Sequence, residues 1–395
     1  MRYKLSDAIS FNPKESLKKG TVAKKIAMDK LQPFYRDIPG YEMAEYSGGA
    51  KFRNGDTIMA RITPCLENGK TAQVNLLDDN EIGFGSTEFI VFRAKPGITD
   101  PDYIYYLVCS PVIRDVAIKS MVGSSGRQRV QTDVLQNLEY DFPDFEEQKK
   151  IGSILRALDD KISLNQKIND NLEQQARTLF KVWFQNDSST NNSSERPLSE
   201  LCEMITKGTT PTTLGRSFTE RGINFIKAES ISDSHVLDPS RFAHIDDETH
   251  ALLKRSIIRD KDIVFTIAGT LGRFALIDES ILPANTNQAV AIIRTNRDIV
   301  SPYYLYSFFI ANWHNEYYAK HVQQAVQANL SLTTIKSLPI PVLSDDAMKE
   351  YLAQITPIFE LIKNNEQESR NLSNLRDTLL PKLMSGEIDV EGIEL

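Results

Sequence analysis

Hydrophobic residues recur at alternating intervals of four and three residues across the middle of the chain. This seam reads Ile151, Leu155, Leu158, Ile162, Asn165, Asn169, Leu172, Ala176, Leu179 and Trp183. Such a repeat is typical of a long α-helix that packs against a partner helix. No proline or glycine follows Gly152 within residues 146–184, and a helix of this length would extend for roughly 50 Å. The pattern therefore predicts one long helix whose hydrophobic stripe needs a partner.

The partner lies about 200 residues later in the same chain. Adding that offset gives a second seam at Tyr351, Ile355, Ile358, Ile362, Asn365, Ser369, Leu372, Arg376, Leu379 and Leu383. Polar residues again fall at its centre, and Ile162, Asn165, Leu172 and Leu179 recur as identical residues. The sequence thus predicts a duplication in which each copy ends in a long helix. Pro357 predicts that the second helix kinks or begins late, and Pro381 predicts a break near its end.

The residues before each long helix also repeat. Residues 57–62 and 88–93 read as strands and residues 101–110 as an aromatic helix, and residues 263–268, 289–294 and 302–306 match them in order. Tight turns at residues 53–56 and 259–262 precede the first strand of each set. Mixed short strands and helices predict an α/β (mixed α+β) fold class with two pseudo-repeated globular domains.

Composition and charge narrow the class of protein. The net charge is −7. Lysines gather within residues 14–30 and acidic residues cluster elsewhere, so the total charge does not exclude a local basic surface. The cysteines Cys65, Cys109 and Cys202 are odd in number and lack CxxC spacing, as expected for thiols in a reducing compartment. The first residues show no apolar signal region and no run approaches 18 apolar residues, so we expect a cytoplasmic protein.

No catalytic or cofactor motif is recognisable. Gly69-Lys70-Thr71 resembles the end of a phosphate-binding loop, but Pro64 stands where the required glycine should be. The sequence contains no GxGxxG, no GxSxG, no HExxH and no (N/D)PP(Y/F) tetrapeptide of adenine methyltransferases. We therefore expect a non-catalytic chain with no metal and no cofactor of its own.

Several of these segments resemble one known family. Pro143 followed by Glu147-Gln148 and Ile151 resembles the entry to the conserved helix of type I restriction–modification specificity subunits. The end of the first helix, LFKVWF, resembles the central conserved region of that family, and LLPKLMSGEI at residues 379–388 resembles its distal one. The second helix departs from the pattern, because Asp346-Ala347-Met348 stands where Glu-Gln is expected.

The resemblance implies a domain organisation and a set of partners. Each globular domain would read one half of a bipartite sequence in double-stranded DNA. The helices would set the spacer and dock two modification (methyltransferase) subunits that carry S-adenosylmethionine, and restriction subunits would add ATP- and Mg-dependent translocation and cleavage. The implied segments are target recognition domain 1 (1–144), the central helix (145–185), a linker (186–195), target recognition domain 2 (196–344), the distal helix (345–386) and an acidic tail (387–395).

The resemblance also implies that the two helices pack antiparallel. Pairing the seams in reverse then places Asn169 opposite Asn365 and Asn165 opposite Ser369, with apolar residues facing each other on both flanks. A buried asparagine pair typically fixes register, because any slip leaves an amide without a partner. These four polar residues are therefore predicted to set the register of the helix pair.

Polar, turn-rich segments beside positive charge are the candidate DNA readers. Arginine suits guanine, and asparagine or glutamine suits adenine, by bidentate geometry. In the first domain the candidates are Lys51, Arg53, Arg61, Thr63, Lys70 and the loop of residues 123–129 with Ser124, Ser125, Arg127, Gln128 and Arg129. In the second they are Lys207, Thr209, Thr210, Lys227, Arg273, Asn285, Asn287, Gln288, Gln323, Gln327 and Asn329.

Two other classes of protein are alternatives to a DNA specificity subunit. A duplicated coiled-coil interaction scaffold without a DNA role would also fit the acidic composition and the helix pair. Salt-dependent binding to duplex DNA separates the two, because phosphate contacts release counterions. A catalytic nuclease or methyltransferase is weakened by the missing motifs.

Overall fold

The computed structural model describes residues 2–185, 194–312, 314–322, 329–390 and 392–393. The chain divides into two compact units. Unit 1 comprises Met1–Gln166 with Glu366–Leu395, and unit 2 comprises Lys167–Asn365. Each unit therefore combines one globular domain with part of both long helices.

Unit 1 contains three small sheets, with strand orders β1-β10, β2-β9-β6-β7 and β4-β3-β8-β5. Their strands are β1 (Arg2–Lys4), β2 (Ile9–Phe11), β3 (Val22–Ile26), β4 (Glu42–Glu45), β5 (Lys51–Phe52), β6 (Thr57–Ala60), β7 (Thr71–Gln73), β8 (Gly83–Gly85), β9 (Phe89–Ala94) and β10 (Glu139–Asp141). The helices of its globular part are α1 (Leu5–Ala8), α2 (Pro101–Cys109), α3 (Pro111–Lys119) and α4 (Thr132–Gln136). The sequence-predicted strands β6 and β9 and the helix α2 are confirmed.

In the sequence, the first long helix, α5 (Phe145–Gln185), follows the globular part of unit 1. Unit 2 repeats the sheets of unit 1, with strand orders β11-β20, β12-β19-β16-β17 and β14-β13-β18-β15. Its strands are β11 (Ser194–Pro197), β12 (Cys202–Lys207), β13 (Ile223–Ile226), β14 (Ala243–Ile245), β15 (Ile257–Ile258), β16 (Ile263–Thr266), β17 (Phe274–Leu276), β18 (Ala284–Thr286), β19 (Val290–Thr295) and β20 (Pro339–Val342). Its helices are α6 (Asp247–Leu252), α7 (Pro302–Ile310), α8 (Asn315–Val322), α9 (Leu332–Lys336) and the second long helix α10 (Asp345–Met384). The strand order matches sheet by sheet, down to the parallel pairs β3–β8 and β13–β18, so the predicted duplication is confirmed.

A buried glutamine explains the Glu-Gln motif at the start of α5. Gln148 is 1% exposed and donates its amide to the carbonyls of Ile98 and Pro143, both at 3.0 Å. Its side-chain oxygen accepts from the backbone N–H of Asp100 at 3.1 Å, immediately before α2. In α10 the equivalent residue is Met348, which lies in the hydrophobic core of unit 2. The departure of the second copy from the motif is thus an apolar replacement of a buried polar link.

The long helices confirm the sequence pattern with one correction. Pro357 predicts a kink or a late start of the second helix and Pro381 a break near its end, but α10 begins at Asp345 and continues through both prolines to Met384, so the late start and the break are wrong. Proline removes one helical hydrogen bond. The buried residues on either side of Pro357, Ile355 and Phe359, belong to the core of unit 2, and their packing outweighs that loss.

The register predicted for the helix pair is also confirmed, within each unit separately. In unit 2 the Asn365 amide donates to Asn169 Oδ1 at 2.8 Å, and Asn169 donates to the Ile362 carbonyl at 3.4 Å. In unit 1 Asn165 donates to Ser369 Oγ at 3.3 Å. In these contacts the residue numbers rise along α5 while they fall along α10. The two helices therefore run antiparallel in both units.

The residues that follow α10 pack on unit 1. Val390 is fully buried in its core together with Leu383 and Met384, and Tyr140 donates to the Met384 carbonyl at 2.6 Å. The described part of the segment predicted as an acidic tail therefore contributes an apolar anchor. Among the described residues, no helix is long and apolar enough to cross a membrane.

Candidate nucleic-acid interface

The loop of residues 123–129 lies between α3 and α4 and is anchored beside Thr63, just after β6. Val122 and Arg129 exchange backbone hydrogen bonds of 3.0 and 2.9 Å, and the Thr63 N–H donates to the Gln128 carbonyl at 3.0 Å. Gly123 has a φ of +137° and Gly126 of +76°, conformations that glycine adopts without strain. The side chains of Ser124, Ser125 and Arg127 are exposed. The loop therefore presents polar groups on a fixed base.

The two arginines of this loop differ in availability. Arg129 binds Glu88 through two nitrogens, at 2.7 and 3.0 Å, and this pairing lowers the pKa of Glu88. Arg127 is exposed and makes no side-chain hydrogen bond or ion pair with any described residue. Arg127 can therefore bind an anion directly, whereas Arg129 must first release Glu88.

A cleft of about 610 Å³ in unit 1 gathers further positive charge. Lys14, Lys51 and Arg61 line it, and Glu15 is the acidic residue among its lining. The Arg61 guanidinium donates to the Val130 carbonyl at 3.3 Å, while its Nε is buried with no partner among the described residues. Lys51 donates to the Glu15 carbonyl, so Lys51 and Arg61 bind neutral carbonyl groups and keep their positive charge, which favours an anionic ligand in the cleft.

Glu15 does not cancel this charge, because two arginines hold it. Arg53 donates to both of its oxygens at 2.7 and 2.9 Å, and Arg93 donates to it at 2.7 Å. The hydrogen bonds from Arg53 and Arg93 outweigh the opposing effect of burial and lower the pKa of Glu15 to about 2. Arg53, predicted as a DNA reader, therefore binds a carboxylate in this structure.

The Glu15 cluster predicts a pH-dependent contribution to stability. The pKa of Glu15 is lower in the folded chain than its usual value of 4.5, so its stabilising effect is complete above about pH 4.5 and is lost as the pH falls toward 2. We expect the difference in unfolding free energy between the wild type and Glu15→Gln to shrink over that interval. Urea unfolding at a series of pH values measures it, and curves that stay parallel down to pH 2 would contradict the assignment.

Two other candidates of unit 1 make contacts inside the domain. Lys70 donates to the Met28 carbonyl at 2.9 Å, and the Thr63 hydroxyl contacts Met121 Sδ at 4.0 Å. Both side chains are partly exposed.

In unit 2 five of the predicted residues come together on one surface. A Cβ on Gly208 would lie 2.0 Å from the Thr286 carbonyl oxygen, so glycine lets the end of β12 approach the segment after β18. The Thr210 hydroxyl donates to Gln288 Oε1 across this approach, and Arg255, which the sequence did not single out, donates to Thr209 Oγ1 at 3.0 Å. The surface consists of Lys207, Thr209, Thr210, Asn287, Gln288 and Arg255, and we call it the threonine–amide surface.

The remaining candidates of unit 2 are placed differently. Asn285 is fully buried, bonds His250 and donates to the Leu253 carbonyl at 3.3 Å, so it is inaccessible to a duplex here. Arg273 binds Asp233 at 2.7 Å, and Lys227 lies 4.8 Å from the centre of the Phe218 ring. Asn329 is exposed, whereas Gln323 and Gln327 lie outside the described residues.

Only one sequence signal could have found the missed residues. Lys14 belongs to the lysine-rich segment already noted, and the cleft gives that segment a location. Arg255 and Glu15 lie far in sequence from the groups they bind. Their roles depend on pairing between distant segments, which local patterns do not encode.

Comparison with known proteins identifies the family. A model described as "Type I restriction modification DNA specificity domain" matches residues 6–174 and 191–373. The chain is 25% identical over 318 residues to the type I restriction enzyme MjaIX specificity subunit of Methanocaldococcus jannaschii, covering 76% of this chain and 71% of the relative. It is 25% identical over 428 residues to the HindI specificity subunit of Haemophilus influenzae, covering 89% of each.

A solved structure agrees with the fold. The crystal structure of a type I restriction–modification system S subunit from M. genitalium superposes with a TM-score of 0.54 at 14% identity, covering 97% of this chain and 95% of that one. The family membership confirms the predicted specificity subunit, as opposed to a catalytic subunit, and does not favour the scaffold alternative. Matched in both of its repeats by the same specificity-domain model, the chain belongs to the family of type I restriction–modification DNA specificity subunits.

Proposed function

We propose that each globular domain of this chain reads one half of a bipartite DNA sequence, and that α5 and α10 set the spacing between the half-sites. The observation that carries the proposal is one framework bearing two different surfaces. The sheet order is the same in both units. Unit 1 presents a basic cleft and an arginine loop, whereas unit 2 presents the threonine–amide surface.

The chemistry of each surface suits a different kind of contact. Arg127, Lys51 and Arg61 are donors only, so they suit phosphates or the acceptor edge of guanine. Asn287 and Gln288 carry both a donor and an acceptor, as the adenine edge requires. Phosphate contacts would fix the orientation of each domain, and base-edge contacts would supply the sequence preference.

Domain exchange tests this modular function. Replacing residues 1–144 by the equivalent domain of a relative is expected to change one half of the methylated sequence and to leave the other half intact. Methylome sequencing of cells that express the hybrid with its modification subunits reads both halves at once. The wild-type chain in the same cells is the control. A simultaneous change in both halves would contradict independent reading.

Substitution of Arg127 tests the role of the loop of residues 123–129. Arg127→Ala is expected to weaken duplex binding, and loss of one phosphate contact should reduce the slope of log K against log salt by about one unit. If the residue contacts guanine instead, discrimination at one base should fall by roughly 1–3 kcal/mol. Arg2→Ala is a matched control, because Arg2 is a comparably exposed arginine of unit 1 that lies on β1 and pairs with Glu139. Equal affinity of Arg127→Ala and the wild type for the duplex would show that the loop is an ordinary solvated surface.

We further propose that the long helices dock two modification subunits. Within unit 2 a groove of about 440 Å³ lies along α5 and α10, lined by the apolar Leu179, Val182 and Ile358 and by surrounding amides. Val182 is 49% exposed, so this groove offers apolar surface to a partner. S-adenosylmethionine would belong to the modification subunits, and ATP with Mg to restriction subunits, so this chain would supply recognition alone.

A further inference from the structure

Four polar residues lie at the centre of the helix pair: Asn165, Asn169, Asn365 and Ser369. Their contacts fit one alignment of the two helices but do not distinguish α5 from α10. Residues of α5 and α10 correspond by an offset of 200, so the Asn169–Asn365 contact of unit 2 corresponds to the Asn165–Ser369 contact of unit 1. If α5 paired with the α5 of a second chain in the same antiparallel register, Asn169 would face Asn165. That pair could bond as well as the native ones.

The apolar flanks also correspond by position, although Trp183 packs on Tyr351 in unit 2, with centroids 5.8 Å apart, where unit 1 has Leu383 and Ile151. Leu179 and Trp183 of α5 occupy the positions of Leu379 and Leu383 of α10. A duplicated chain therefore carries two helices that could each pack against a copy of itself. Something else must select the pairing of α5 with α10.

One ion pair of unit 1 breaks the equivalence. Arg376 of α10 donates to Asp159 of α5 at 2.7 Å, and their side chains are 11% and 6% exposed. Tyr106 donates to the other oxygen of Asp159 at 2.6 Å, and Arg376 also binds the neighbouring, exposed Asp377 at 2.8 Å. The carboxylate is therefore enclosed, and its cation comes from the other helix.

The corresponding positions in unit 2 are apolar. Ala176 stands in place of Arg376 and Phe359 in place of Asp159, and both belong to the core of that unit. Phe359 packs against the rings of Tyr303 and Tyr306, with centroids 5.3 and 5.4 Å apart. The same geometric position thus holds a buried charge pair in one unit and a hydrocarbon contact in the other.

Pairing between like helices would separate these charges. Two α5 helices would bury Asp159 against Ala176, and two α10 helices would bury Arg376 against Phe359. Breaking a buried ion pair by removing one partner is strongly unfavourable, because the remaining charge stays desolvated. We propose that the Asp159–Arg376 pair selects the association of α5 with α10 and rejects association of either helix with its own copy in a second chain.

This selection has a consequence for recognition, which rests on the proposed function. An assembly of two first halves would carry the same recognition domain twice and would read a symmetric target. Rejecting it keeps the recognised sequence asymmetric. The penalty is greater for two α5 helices, because Arg376 would keep Asp377 whereas Asp159 would keep only the Tyr106 hydroxyl.

The test starts from the intact, folded chain with a specific protease site placed within residues 186–193. After cleavage the two fragments remain associated, since each unit contains parts of both. Isotope-labelled and unlabelled cleaved proteins are mixed and incubated until the label has redistributed, which proves exchange. Native mass spectrometry then counts mixed pairs and like pairs without any DNA, so the result is independent of the proposed function.

We expect mixed pairs of the wild type to exceed like pairs by roughly a hundredfold or more. Asp159→Leu with Arg376→Leu replaces the pair by apolar groups, a change that is often tolerated in cores, and should raise the fraction of like pairs at least ~10-fold. Lys161→Ala is the matched control, because it removes another ion pair between α5 and α10, to Glu368 at 3.1 Å, whose side chains are 43% and 46% exposed. It should leave the selection unchanged.

Two results would overturn the proposal. One is a random mixture of mixed and like pairs in the wild type. The other is a doubly substituted protein that still forms mixed pairs to the same extent as the wild type. If the doubly substituted protein failed to fold, Asp159→Asn with Arg376→Gln would replace it, since this variant removes both charges and keeps hydrogen-bonding groups for Tyr106. The same rise in like pairs is expected, and its absence would count against the ion pair.

Discussion

Replacing Arg294 by leucine is expected to lower the free energy of unfolding by about 3–5 kcal/mol, because the substitution leaves a buried carboxylate without its cation. Arg294 donates to both oxygens of Asp262, at 2.8 and 2.7 Å, and Asp262 is 1% exposed. Burial raises the pKa of Asp262, and the Arg294 guanidinium opposes that effect. Urea unfolding monitored by circular dichroism measures the change.

A second substitution separates charge from packing. Asp262 Oδ2 also accepts from the Arg259 N–H at 2.7 Å, a bond that an asparagine oxygen can keep. Asp262→Asn combined with Arg294→Leu should therefore recover part of the lost stability, since no charge remains buried. Arg297→Leu is the control, because this more exposed arginine donates to a carbonyl, that of Asp260, at 2.9 Å. A loss below about 1 kcal/mol in Arg294→Leu would place the pair among ordinary surface interactions.

Unit 1 repeats this arrangement. Arg93 donates to Asp56 at 2.7 and 2.6 Å, and Asp56 is 1% exposed. In each unit the aspartate ends the tight turn before a central strand, and the arginine comes from the strand that pairs with it. The duplication has thus kept a buried ion pair beneath two different surfaces.

The repeat and the helix register could be predicted from the sequence because both depend on periodicity. A seam that recurs at a fixed offset fixes which residues face each other, and the asparagines then fix the register. The tight turns before β6 and β16 were also predictable. Their bonds to Arg93 and Arg294 were not, because strand pairing brings those arginines back from 37 and 32 residues further on.

Helix breaks and surface readers were less predictable. Pro357 has a low intrinsic tendency to lie within a helix, but tertiary packing overrides such preferences. Asn285 and Asn287 are two residues apart in sequence, yet one is fully buried and the other partly exposed. Arg127 and Arg129 are both exposed and differ instead in pairing, because Arg129 binds Glu88. Composition identifies the right segments, and the fold decides which side chains face outward.

The buried amide pair offers the clearest link between stability and recognition. Asn169 and Asn365 are 8% and 9% exposed and share a hydrogen bond of 2.8 Å. Asn169→Leu alone should cost about 1–3 kcal/mol, because it removes one partner of a buried hydrogen bond. Asn169→Leu with Asn365→Leu removes both polar groups, so we expect the double variant to be more stable than the wild type.

The gain in stability of the double variant should come with a less strict preference for spacer length. Without the amide pair, a slip of α5 along α10 leaves fewer buried polar groups unpaired, since the contact of Asn165 with Ser369 then holds the register alone, and such a slip would change the separation of the two domains that we propose to read DNA. Methylome sequencing with the modification subunits should therefore show methylation at targets whose spacer differs in length from that of the wild type. Asn374→Leu, at an exposed position of α10, is the control and should alter neither stability nor spacer preference. A double variant that is less stable than both single variants, or one that keeps the strict spacer of the wild type, would show that the amide pair does not set the register.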